Sequence, residues 1–113
     1  DSHSFWANRL SDGKGAPMGV ELGTAGVTSP GDFVESGFDA DLSARLDTAF
    51  ADLIDEVLWT DNFRQGYVRV DLRREAAQAE FIAMSTIVSP RYKAETLRRY
   101  AIARKGNSVE LRG

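Results

Sequence analysis

The hydrophobic period of this chain changes once, and that change limits the fold more than any other feature. In DADLSARLDTAFADLIDEVLW, Leu42, Leu46, Ala49, Phe50, Leu53, Ile54, Val57 and Leu58 recur at three- and four-residue spacing. Such spacing draws one apolar stripe along a helix. A helix is therefore expected over residues 39–59, with Asp39 or Asp41 capping its start. Asp47, Asp52, Asp55 and Glu56 fall on the opposite face, where acids are solvated. Beyond it the period drops to two. GYVRVDLR alternates, AEFIAMSTIVS is apolar on both faces like a strand covered on both sides, and LRRYAIARK gives a third strand. Gly106 and Asn107 suit a tight hairpin turn into SVELR. The expected class is α+β, one long amphipathic helix followed by an antiparallel four-stranded meander over residues 66–112.

Ahead of the helix the pattern is less regular. Residues 4–10 read as one or two helical turns, and SDGKGAP breaks them. MGVELGT alternates well enough for a short strand. AGVTSPGDFVESGF is then a long irregular connection, and long connections in compact domains are often functional.

Composition narrows the function classes. A chain of 113 residues with 42% hydrophobic and 27% charged residues matches one ordinary globular domain. No apolar run approaches the length of a membrane span. With no cysteine, disulfides and thiolate metal sites are excluded. The net charge of −3 gives no general attraction to nucleic acid. Its distribution is uneven: residues 1–62 hold 12 acids and 3 bases, residues 91–113 hold 7 bases and 2 acids. The basic tail is either a patch for an anionic partner or the solvated faces of strands. Strand alternation separates Arg98 and Arg104 from Arg99 and Lys105, which weakens the patch.

Three stretches carry chemistry. Asp1 and His3 are two apart, so in an extended segment both side chains point to one side, and a carboxylate with an imidazole suits a divalent or trivalent metal. Two donors do not make a site, and His3 is the sole histidine, so these residues alone leave open a metal-ligand pair or a surface terminus. Activation of Ser2 or Ser4 by His3 is disfavoured, because triad members come from separate segments. In GVTSPG, the Thr28 and Ser29 hydroxyls and a glycine-flanked backbone suit a phosphate, or form a plain turn at Pro30. Arg64 in NFRQGY either pairs with an anion or caps the preceding helix.

Taken in succession, DSHSFWANRL, GVELGTAGVTSPG, NFRQGYVRVDL and AEFIAMSTIVSP resemble the C-terminal part of the PhoD-like alkaline phosphatases, within the metallophosphoesterases. The resemblance covers most of the chain. It implies that Asp1 and His3 are late ligands of a di- or tri-metal centre, with Ca2+ and Fe3+ the expected metals. Glu21, Thr28, Ser29, Pro30 and Gly31 stand at the positions of the family's following strand and loop, and Thr28 and Ser29 are expected beside the substrate. The implied fold is an αββα sandwich of two mixed sheets, of which this chain forms a C-terminal portion: an active-site-proximal segment over 1–38, the helix over 39–59, and strands over 66–112. The implied substrate is a phosphate mono- or diester, and the implied compartment is periplasmic or extracellular.

The family's upstream D-x-H, G-D-x-x-D and G-N-H segments are not in this chain. It is accordingly expected to be a piece that is inactive by itself and that self-associates through an uncovered sheet face. The alternative is a non-catalytic α+β interaction or capping module that carries D-x-H by chance.

Overall fold

The computed structural model describes residues 2–113. Seven strands and two helices follow in the order β1 (Phe5–Ser11), β2 (Pro17–Gly23), α1 (Asp32–Glu35), α2 (Ala40–Leu53), β3 (Val57–Asp61), β4 (Gly66–Leu72), β5 (Ala76–Met84), β6 (Ala94–Lys105) and β7 (Ser108–Arg112). The class is α+β, with two antiparallel sheets and one long helix. The first sheet runs β2-β1-β3 and the second β4-β5-β6-β7. No helix among the described residues is long and apolar enough to cross a membrane.

Residues 4–10, expected as helical turns, are a strand. β1 pairs antiparallel with β2 on one side and with β3 on the other. Phe5 and Ala7 are fully buried, and the alternate Trp6 and Asn8 are half-buried on the other face. Strands on both sides pair most of this backbone, which outweighs any local helical preference in seven residues.

The long helix is also shorter than its apolar stripe. The Asp39 carboxylate accepts from the Leu42 amide at 2.8 Å and caps the start. The helix stops at Leu53, Ile54 is extended, and residues 57–61 turn into β3. Val57, Leu58 and Trp59 fit either period, and pairing with β1 decides for strand. The stripe shifts too. Leu42 and Leu53 are exposed, whereas Ser43, Leu46, Asp47 and Phe50 face inward.

Because β1 is central, its two faces build two packed layers. On one face Phe5 joins Trp59, Phe81 and Tyr100 between the sheets, with Phe81 edge-on to Phe5 at 5.7 Å and to Trp59 at 5.0 Å. On the other, Trp6 meets Phe50 of α2 at 5.7 Å, and Phe33 stacks on Phe50. The order of layers is thus helix, sheet, sheet. β5 is buried on both faces over residues 79–83, and its strand ends at Met84, short of the apolar run through Val88. On its outer face Glu80 is held by Arg69 of β4 and by Arg99 of β6, the latter at 2.6 Å. The Arg99 bond, with help from Arg69, keeps the Glu80 carboxyl below its usual range. Arg98 stands opposite Phe81 and lines a cleft beside Trp59, whereas Arg99 stands opposite Glu80, so strand alternation puts the two arginines on different faces. At the far end Gly106, in the left-handed region at φ 63°, makes the β6–β7 turn.

Candidate metal-ligand segment and its flanking loop

His3 stands two residues before β1 and is half-buried. Its φ is +49°, the left-handed region that a non-glycine residue rarely adopts. Ser4 beside it is fully buried, and its hydroxyl donates to the Ser2 carbonyl at 2.9 Å. That hydroxyl is committed to the backbone. Asp1 lies outside the described residues.

The loop after β2 folds back onto this segment. At Gly26 a Cβ would lie 3.6 Å from the His3 ring and 3.0 Å from the Ser29 carbonyl oxygen. At Gly31 a Cβ would reach 2.4 Å from the Asn62 carbonyl oxygen and 3.4 Å from the His3 carbonyl oxygen. Absence of a side chain at Gly31 therefore lets the loop lie against the Asn62 and His3 backbone, and Gly26 brings the GVTSPG turn beside the imidazole. Thr28 is exposed and Ser29 half-buried in that turn. The fold thus joins two stretches 23 or more residues apart in sequence: His3 and the loop of Gly26, Thr28 and Ser29 share one neighbourhood.

A brace not legible as such in the sequence secures the underside. The Thr60 hydroxyl donates to the Phe5 carbonyl at 2.8 Å. The Asn62 side-chain amide donates to the Asp47 carboxylate at 2.6 Å and to the Thr60 hydroxyl at 3.0 Å. Asp47 was expected to be solvated; it faces the sheet instead. Its place one turn beyond Ser43 and beside Leu46 on the helix was the available signal. Arg64 does not cap a helix, since β3 intervenes; it pairs with Asp61 at 3.7 Å, and the Asp61 carboxylate accepts from the Phe63 and Arg64 amides.

Burial pushes the Asp47 carboxyl up from 3.8, against the lowering effect of the Asn62 hydrogen bonds. A raised carboxyl contributes stability that is present below pH 3.8 and is lost as pH rises through the raised value. Asp47→Asn should therefore gain in Tm relative to the unchanged chain as pH rises from 3 upward. Parallel melting curves across that range would contradict it. Gly31→Ala should destabilise the chain by about 2–3 kcal/mol in chemical denaturation, because a backbone carbonyl cannot step aside for a methyl group. Loss below about 0.5 kcal/mol would show that the loop relaxes freely.

The donor set fits a metal centre only in part. The imidazole of His3 is of the right chemistry, but the described residues hold no group of three histidine, cysteine, aspartate or glutamate side chains placed to bind an ion. One imidazole does not hold a metal alone.

The PhoD-like phosphatase family matches residues 1–81, from the D-x-H segment into β5. The chain belongs to this family, and its function is phosphatase-related. No curated protein and no solved structure matched it. β6 and β7 lie beyond the matched region.

Proposed function

We propose that this chain is the C-terminal, active-site-proximal part of a metal-dependent phosphatase acting on phosphate mono- or diesters. Asp1 and His3 supply ligands to a di- or tri-metal centre of Ca2+ and Fe3+, and Thr28 and Ser29 border the substrate. The observation that carries this reading is the closure of the GVTSPG turn on His3 through Gly26 and Gly31, within a chain of the PhoD-like phosphatase family. A centre of this kind polarises phosphoryl oxygens and lowers the pKa of bound water. The chain's own residues set the backbone around His3: Thr60 fixes the start of β1, and Gly31 lets the loop rest on the Asn62 and His3 backbone. The whole enzyme is proposed to work in the periplasm or outside the cell.

The remaining ligands come from residues beyond these 113. A phosphatase domain that includes them should hydrolyse p-nitrophenyl phosphate or its bis-ester and lose that activity on chelation. The 113-residue chain alone should hydrolyse neither. Hydrolysis by this chain alone, abolished by His3→Ala, would overturn the division of the site. A domain that binds no metal, or whose activity is indifferent to replacement of Asp1 and His3, would favour the non-catalytic module.

A further inference from the structure

We propose that β4 is a self-pairing edge through which two copies of this chain join their second sheets into one continuous antiparallel sheet. Among the described residues β7 lies against β2, and β3, a shorter edge of five residues, packs one face on α2 and borders a cleft toward β6, whereas β4, seven residues long, makes its substantial contacts with β5 alone. At the two ends of that pairing the Arg73 amide donates to the Ala76 carbonyl and the Gln65 carbonyl accepts from Met84. The register between them has no bulge. Odd-numbered residues therefore direct their main-chain groups at β5, and Val68, Val70 and Leu72 present theirs to the open edge. A long strand with exposed donors and acceptors is a template for another strand.

The side chains along this edge are complementary to themselves. With a two-fold axis at Val70, Arg69 stands opposite the partner's Asp71, and Asp71 opposite the partner's Arg69. Val68 meets the partner's Leu72, and Tyr67 meets the partner's Arg73. Val70 and Leu72 are 41% and 80% exposed, and pairing covers both. An axis at Arg69 or Asp71 would set like charges against each other. An axis at Leu72 would run off the end of the strand. The Val70 register forms about six main-chain hydrogen bonds, two per pair. It also extends the ladder in which Arg69 and Arg99 hold Glu80 to the partner's Asp71. Asp71 makes no ion pair among the described residues, so this carboxylate is available. An interface of this size is of the weak kind.

Sedimentation equilibrium and cysteine cross-linking test the proposal. The chain has no cysteine, so Val70→Cys carries a single thiol. Across the axis the two Cα atoms would be about 5.5 Å apart, within disulfide reach, whereas at Leu72→Cys they would be more than about 10 Å apart. Val70→Cys should form a covalent dimer on mild oxidation, and Leu72→Cys should not. Asp71→Arg should weaken self-association about tenfold. Val70→Pro, which removes a donor that β5 does not use, should abolish it. Circular dichroism of each variant, matched to the unchanged chain, separates these losses from misfolding. A strict monomer at millimolar concentration, equal cross-linking at 70 and 72, or association unmoved by Asp71→Arg would overturn it.

Discussion

Replacing His3 by asparagine in a phosphatase domain that holds this chain should lower kcat/KM for a phosphate ester at least about 100-fold, because even groups one step removed from a metal cost 10–100-fold. Asparagine is the informative substitute. It tolerates the left-handed backbone that His3 adopts at φ +49°, so the turn into β1 survives while the imidazole is lost. Thermal melting should therefore shift little, and metal content should fall with activity. His3→Ala carries the same loss of ligand with an added backbone cost. An Asn variant that retains both activity and metal would show that His3 serves only the turn.

The largest structural effect is expected at Phe81. Its side chain is fully buried and meets Phe5, Trp59 and Tyr100, so one ring joins both sheets. Phe81→Ala should destabilise the chain by about 3–5 kcal/mol, the transfer loss plus the cavity left among rings that cannot collapse. That corresponds to a fall in Tm of more than about 10 °C. Phe81→Leu should recover a good part of it, since much of the volume returns. A loss below about 1 kcal/mol for Phe81→Ala would mean that the sheets do not pack through this ring.

Legibility in the sequence followed how local each determinant is. The Asp39 cap, the Gly106 turn and the alternation of β4 involve neighbours within a few residues, and these were readable. Residues 57–59 were not, because Val57, Leu58 and Trp59 satisfy a helical stripe and a strand equally; only pairing with β1, 50 residues away, decides between them. β1 was misread for the same reason. The candidate site was legible as pieces: His3 and the Thr28–Ser29 turn each stood out, but their meeting depends on the close backbone approach at Gly31, whose role is steric and carries no chemical signature. Asp47 looked solvated because acids on helices usually are, and the buried Asn62 that claims it lies beyond β3.

Whether the D-x-H segment meets metal beside the GVTSPG loop is decided by anomalous diffraction from a metal-loaded, active phosphatase domain holding this chain. The expected result is a metal peak about 2.0–2.3 Å from an imidazole nitrogen of His3, with the Asp1 carboxylate on the same cluster. An active, metal-loaded enzyme in which neither Asp1 nor His3 touches a metal would contradict it.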